Sequence, residues 1–504
     1  MTAGDLLRHE SGSKILGNPD VQLDGMSLDS RSVERGDLFV ALRGEKADGT
    51  RFIPQAVQRG AVAVATEEEV SGISVPLLMI PGLKQKLGSL ASRVYGEPSR
   101  AMTVVGITGT NGKTTMVFLV AEIFRRLGKE TGTIGTLFYR WKDREVEAPR
   151  TTPEAPELHR LLARMHSDGV THVAMECSSH GLSLGRIGGL ALDVAVFTNL
   201  TQDHLDFHRT MEEYREAKRR IFSEILAQSP KQDRTAVVNL DDPTGREWAS
   251  ALKFPILTYS TRHREADLFA KDYHMDANGI RARVEVQGEV VPLHSPLVGL
   301  HNLSNLMGAL AVARALGIDP ARAAEALSTV GSIPGRLERI ENDKGVHVYV
   351  DYAHTPDALK NALDALSPLR KRRLLAVFGC GGDRDRTKRP QMALVAAQAA
   401  DVVIVTSDNP RSEDPSAIVR EIEAGIPSDV KKITPQELNG NSTGVSCSIL
   451  DRREAIRRAL EAAQPGDLVL IAGKGHETYQ EIRDVKKPFD DREVARELLT
   501  GARK

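Results

Sequence analysis

Three observations predict an α/β fold divided into three domains. The chain has 504 residues, too many for one hydrophobic core. Apolar runs of strand length alternate with helical patterns along most of it. Clusters of glycine and polar residues follow the ends of those runs, where open α/β sheets carry their ligand-binding loops.

Residues 1–98 hold the short runs Asp37–Leu42, Ala61–Ala65 and Pro76–Ile80, separated by turns and short helical stretches. They predict a small N-terminal α/β domain, and Gly96–Arg100 reads as the linker that follows it. In 99–333, unbroken β-rich runs lie at 102–108, 171–177, 193–199 and 235–239. Runs without polar alternation predict strands buried on both faces, hence a central parallel sheet covered by helices. In 334–504, strands are expected at 346–351, 373–378, 401–406 and 467–471, with helices at 356–366, 390–400 and 453–463. This is the pattern of a doubly wound, Rossmann-like domain.

Composition narrows the function. Lys and Arg total 67 against 68 Asp and Glu, a net charge of −1 that offers no basic field for nucleic acid. Three separated cysteines, with no C-x-x-C spacing, fit a reducing compartment and argue against a zinc knuckle. The N-terminus lacks a basic-then-apolar leader, and no stretch of about 18 uncharged apolar residues exists. A cytoplasmic monomer without membrane insertion is expected.

The most informative segment is Gly106-Ile-Thr-Gly-Thr-Asn-Gly-Lys-Thr-Thr115. It joins a predicted strand, 102–107, to a helical pattern, 116–127. Glycines bring backbone N–H groups to phosphate oxygens, and a helix N-terminus favours their charge. Lys113 supplies a point charge for β- and γ-phosphates, and the Thr114 hydroxyl suits Mg²⁺. Gly109, Thr110, Asn111, Gly112 and Thr115 complete this ATP loop, and the central domain reads as P-loop ATPase-like. The commonest spacing would put a glycine at Ile107; here it stands one place earlier, at Gly106.

Other clusters end other strands. Glu176 closes the run 171–177 and is well placed for the metal ion of the phosphates. Asn199–His208 groups two histidines with two aspartates; a zinc site is one reading, and a Mg²⁺-linked phosphate site fits a P-loop neighbour better. Lys218, on a charged helical stretch, reads in isolation as a solvated lysine. In the last domain, Gly379–Arg386 is a glycine-rich loop with cations. Asp408-Asn-Pro-Arg411 puts an acid, an amide and a guanidinium on one turn, a match for a zwitterionic amino-acid head group. Ala472–Glu477 adds a backbone nest and another carboxylate.

Together these motifs, with Asn239–Asp242, His301–Asn305, Gly335-Arg336 and Asp351–His354, resemble the Mur ligase family over essentially the whole chain. Leu28–Arg31, Gly44–Gly49 and Arg150–Pro153 resemble the branch that adds the third amino acid of the peptidoglycan precursor. The resemblance implies an ATP-dependent ligase acting through an acyl phosphate on UDP-N-acetylmuramoyl-L-alanyl-D-glutamate. It implies Mg²⁺ held by Thr114, Glu176, His204 and a carbamylated Lys218, and a catalytic set of Lys113, Glu176, His204 and Lys218. It puts the uridine nucleotide near Leu28, Ser30, Glu45, Lys46 and Ala47, and the muramoyl dipeptide near Thr151, Thr152, Ser178 and Arg186. Adenine and ribose fall to Asn302, Arg336 and Asp351. The Asp408–Arg411 turn resembles the meso-2,6-diaminopimelate type, with Arg384, Asp408, Asn409, Pro410, Arg411, Gly473 and Glu477 as its pocket. An L-lysine-adding relative or another Mur-type or folylpolyglutamate ligase is the near alternative. A P-loop switch or motor, or a non-catalytic binder, would leave either the C-terminal pocket or the metal-and-phosphate set unexplained.

Overall fold

A computed structural model describes residues 1–8, 10–44, 48–276 and 279–500. The first sheet has five strands: β1 (Lys14–Leu16), β2 (Gly25–Ser27), β3 (Asp37–Val40), β4 (Ala63–Thr66) and β5 (Leu77–Met79), in the order β1-β5-β4-β3-β2. All but β1 run parallel.

The second sheet has eleven strands: β6 (Thr103–Thr108), β7 (Thr131–Ile134), β8 (Phe138–Trp141), β9 (Arg144–Glu147), β10 (His172–Glu176), β11 (Val194–Phe197), β12 (Thr235–Asn239), β13 (Ile256–Ser260), β14 (Leu268–Asp276), β15 (Gly279–Val286) and β16 (Glu289–Ser295). The order is β16-β15-β14-β13-β12-β11-β6-β10-β7-β8-β9. From β14 to β7 neighbouring strands are parallel. The expected parallel sheet is therefore mixed: β8–β9 extend one edge antiparallel, and β15–β16 the other. The physical reason lies in the period-two pattern of Arg281-Ala-Arg-Val-Glu-Val286, which alternates between exposed and buried. Such strands need only one covered face, and antiparallel hairpins supply it. Helices Lys113–Arg126 and Leu300–Ala315 cover one face of the sheet; Leu158, Leu162 and Trp248 pack on the other. Residues buried all round Leu300–Ala315 fit its place between sheet and C-terminal elements.

The third sheet, β17 (Glu338–Ile340), β18 (His347–Asp351), β19 (Leu374–Phe378), β20 (Val402–Thr406), β21 (Lys431–Lys432), β22 (Val445–Ile449) and β23 (Leu468–Ala472), has the order β17-β18-β23-β19-β20-β22-β21. Only β17 is antiparallel. The predicted helices appear as Pro356–Leu366, Lys388–Ala399 and Arg452–Ala462. Sequence patterns missed β22 and a separate hairpin, β24 (Tyr479–Ile482) with β25 (Val485–Pro488). Among the described residues no helix is long and apolar enough to cross a membrane.

Helix Ala155–Ser167 fixes the first sheet's domain to the second. It packs on β2 and on helix Leu83–Val94. At the seam, a side chain on Gly88 would run into the backbone of Gly188, and one on Gly189 into that of Gly88 and Ser89. No flexible group can yield there. Gly88→Ala is expected to lower unfolding free energy by about 1–3 kcal/mol, through overpacking; urea unfolding of the purified variant measures it, and an unchanged midpoint would refute the tight seam.

Candidate active site

The loop after β6 turns where glycine is required. Gly109 and Gly112 both have positive φ, and a side chain on Gly109 would strike Thr198. Gly106 lies within β6, packed against Cys177 and Leu192. Its odd position in the motif therefore serves strand packing, and the phosphate turn itself uses Gly109 and Gly112. Thr110, Asn111 and Gly112 lead into helix Lys113–Arg126, which also carries Thr114 and Thr115.

Lys113 folds back on its own loop, donating to the carbonyls of Gly109 (2.9 Å) and Thr110 (2.7 Å). Lys218 donates to that same Gly109 carbonyl at 2.8 Å. Lys218 is 1% exposed and lies 4.2 Å from the Tyr214 ring centre; it is not a solvated surface lysine. Desolvation lowers the pKa of both lysines, and for Lys218 the charge of Lys113 adds to the effect. Tyr214 is itself tied to Thr110 by a hydroxyl contact of 3.1 Å.

Glu176, 1% exposed at the end of β10, is held from two sides. Thr114 Oγ1 donates to its Oε1 at 3.0 Å, Thr136 N donates to the same oxygen at 2.8 Å, and Thr136 Oγ1 reaches Oε2 at 3.1 Å. Arg336 donates to Thr114 Oγ1 at 3.1 Å, bringing a C-terminal cation onto the loop. His204 has a left-handed backbone (φ 54°) and faces His180, Tyr214 and Asp203. Burial holds its pKa below the usual histidine value, with Lys113, His180 and Lys218 contributing; the ring is neutral at pH 7 with a lone pair to offer. Among the described residues, no three or more His, Cys, Asp and Glu side chains form a ready metal cage.

A cavity of about 900 Å³ opens beside the loop. Asn111, Gly112, Thr114, Thr115, Asn302, Arg336 and Asp351 line it, so these of the expected nucleotide residues share one cavity, while Gly109, Thr110 and Lys113 are not among its lining. Asn239 and Asp241 lie on its far wall. Burial raises the Asp351 pKa to about 6 even though Arg336 and the Leu337 N–H favour its charge. Sequence reasoning missed Asp357. Its Oδ2 accepts from Asn111 Nδ2 (2.8 Å), Thr201 Oγ1 (3.0 Å) and Asn361 Nδ2 (3.2 Å). In sequence it reads only as an acid in the first turn of helix Pro356–Leu366.

Thr151, Thr152, Ser178 and Arg186 gather on the other side of Glu176. Thr151 touches Thr136 (3.1 Å); Thr152 Oγ1 donates to the Glu176 carbonyl (2.9 Å); Arg186 donates to the Thr152 carbonyl (3.3 Å) and pairs with Glu154 (2.9 Å). Ser178 caps helix Ser179–Ser183. Leu28 and Ser30 stand apart in the first domain, where Ser30 Oγ donates to Gln55 Oε1 at 2.7 Å. Glu45, Lys46 and Ala47 lie outside the described residues.

In the C-terminal domain, glycines press one loop onto the next. Side chains on Gly379 and Gly382 would meet the backbone at Thr406 and Pro410. Gly381 lies between Arg411 and Arg384. Arg411 is left-handed (φ 51°), held by its N–H to the Glu481 carbonyl (3.0 Å) and by Arg483 N to its own carbonyl (2.7 Å). Asp408, Asn409, Gly473 and Glu477 converge beside it: Asp408 lies against Gly473, and Asn409 Nδ2 donates to Glu477 Oε2 at 2.8 Å.

Family models match three consecutive stretches: the Mur ligase family catalytic domain over 22–95, the Mur ligase middle domain over 107–313, and the Mur ligase glutamate ligase domain over 335–475. A protein of Geobacillus thermodenitrificans (strain NG80-2) is 44% identical, covering 97% of this chain and 96% of its own. The chain belongs to the Mur ligase family. That relative bears the name UDP-N-acetylmuramoyl-L-alanyl-D-glutamate–2,6-diaminopimelate ligase, as does one from Gloeobacter violaceus (strain ATCC 29082 / PCC 7421), 45% identical over 96% of this chain and 95% of its own. A solved structure of the same name is 35% identical, covers 99% of both chains, and superposes with a TM-score of 0.70. The Mur ligase fold thus accounts for the three sheets and their order along the chain.

Lys218 yields a stability prediction. A lysine pKa lowered on folding means that the unfolded chain binds more protons, so this residue destabilises the fold below its ordinary pKa and the penalty fades as pH rises towards 10.5. Lys218→Met is expected to raise unfolding free energy by about 1–3 kcal/mol at pH 7 in CO₂-depleted buffer, and by less near pH 10. Denaturant titrations at both pH values check it; a destabilised variant would contradict the buried-cation account.

Proposed function

We propose that this chain is an ATP-dependent ligase joining meso-2,6-diaminopimelate to the D-glutamate carboxyl of UDP-N-acetylmuramoyl-L-alanyl-D-glutamate. The observation that carries this reading is Arg411 beside Arg384 across Gly381, on the turn that also holds Asp408 and, through Asn409, Glu477; the Arg411 guanidinium lies 3.4 Å from Glu481 and donates to the Gly382 carbonyl at 2.7 Å. Such a pocket offers guanidinium groups to the second carboxylate of a doubly zwitterionic diamino acid, a group that L-lysine lacks. Near-full-length relatives of that name support it.

A carboxylate is a poor electrophile. Attack of its oxygen on the γ-phosphorus of ATP releases ADP and gives an acyl phosphate. The amine then attacks the acyl carbon and inorganic phosphate leaves. Catalysis in this reading is positioning and charge neutralisation. Lys113 exchanges its two loop carbonyls for phosphate oxygens, which the N–H groups of the loop also receive. Thr151, Thr152, Ser178 and Arg186 orient the substrate's dipeptide carboxylate beside Glu176. The donor chemistry fits Mg²⁺: the hydroxyl of Thr114, the carboxylate of Glu176 and the neutral ring of His204. Bound there, Mg²⁺ neutralises triphosphate charge and polarises the γ-phosphoryl group. Lys218 fits as a carbamate: its neutral amine adds CO₂ and loses a proton, which turns a repelling cation into an oxygen anion.

Incubation with ATP, Mg²⁺, the UDP-muramoyl dipeptide and either meso-2,6-diaminopimelate or L-lysine tests the reading by product mass. Product with diaminopimelate, in excess over lysine by about 10⁴-fold, is expected; no product with either amine overturns the ligase reading, and product with lysine alone overturns the role of Arg411. Lys218→Ala is expected to lose activity and to regain part of it with added short-chain carboxylic acids, and full activity without them would contradict the carbamate.

A further inference from the structure

Lys474 lies in the segment Ala472–Glu477 between two carboxylates and an amide, and is fully buried. Its Nζ donates to Asn409 Oδ1 at 3.0 Å and to Glu477 Oε2 at 3.0 Å, with Asp408 Oδ1 at 4.0 Å and the Tyr479 ring centre at 5.6 Å. Asn409 Oδ1 also accepts from Glu481 N at 2.9 Å. An amide oxygen has two lone pairs, and both are taken. Of the two Nδ2 hydrogens, one goes to Glu477 and one is left over.

We propose that Lys474 is a positioning residue for the amino-acid acceptor: it locks the Asn409 amide so that this side chain meets the substrate as an N–H donor to a carboxylate. This rests on the reading of the 408–411 and 473–477 loops as the acceptor pocket. It also changes the part expected of Asn409, whose oxygen has no lone pair left for a substrate ammonium. Asp408 and Glu477 keep that task. Lys474 serves them as well: its buried ammonium, with the buried Arg452 guanidinium beside Gly473, offsets the mutual repulsion of the two carboxylates.

Steady-state kinetics of the full chain test this. The wild type is first assayed with meso-2,6-diaminopimelate; absence of product defeats the pocket reading itself. Given product, Lys474→Met is expected to raise KM for diaminopimelate about tenfold or more, with KM for ATP and for the UDP-muramoyl dipeptide within about twofold. Unchanged KM for diaminopimelate, or equal loss towards all three substrates, overturns the proposal. Asn409→Asp decides the matter should Lys474→Met fail to fold. This replacement keeps the Lys474 contact and substitutes an acceptor for the donor, so KM for diaminopimelate is expected to rise about tenfold. A KM that stays or falls shows that the oxygen side makes the contact, and overturns it.

Discussion

One carbonyl oxygen, that of Gly109, receives two lysines. Among the described residues, no carboxylate is hydrogen-bonded to either ammonium. Two lysines crowded into one desolvated corner are held there by the fold around them, and burial disfavours the charged form of both. That constraint organises the site. The loop must come close to Thr198, which demands glycine; Tyr214 must support Lys218 from below; Glu176 must be drawn towards Thr114 and Thr136. Chemically, a corner that crowds two lysines and an imidazole around a glycine-rich loop, with Glu176 and Asp203 acting on them, is suited to an anionic ligand that brings a cation. A triphosphate meets that demand, and so does a carboxylate activated next to it.

The C-terminal pocket answers the complementary requirement. It carries its own counter-charges, so its groups are poised before any ligand comes. Glycines at 379, 381 and 382 let one loop lie directly on the 408–411 turn, and the strained backbone of Arg411 is pinned by the hairpin partner Glu481. Rigidity of this kind comes from backbone contact, which a single side-chain substitution does not relax.

Much of this was legible in the sequence. Strands buried on both faces announced themselves as unbroken apolar runs, and the ends of 103–108, 172–176 and 194–197 led straight to the functional loops. Candidate residues such as Lys113, Glu176, Asp408 and Arg411 were visible because charged side chains cluster with glycines at or just after the ends of buried strands. What remained hidden had ordinary local explanations. Asp357 looks like a helix-start acid, Thr136 like a turn residue, and Lys474 like one more cation in a glycine-rich loop. Their roles depend on partners about 40 to 250 positions away, as with Thr136 and Glu176 or Asn111 and Asp357, and no local pattern encodes such pairs. The antiparallel edges were missed for a similar reason, since β15 alternates too regularly to resemble the buried runs beside it.

Asp357 carries a consequence for energetics. Its one oxygen joins the C-terminal domain to Asn111 and Thr201, and both lie on the wall of the nucleotide cavity. A ligand that repositions Asn111 also perturbs its hydrogen bond to Asp357 across that domain seam. Linkage then works in both directions: the orientation of the C-terminal domain sets the affinity of the phosphate loop to the same extent that the loop's occupant sets the orientation. The candidate amino-acid pocket and the cavity beside the phosphate loop are thereby linked through Asp357, alongside the Arg336–Thr114 hydrogen bond.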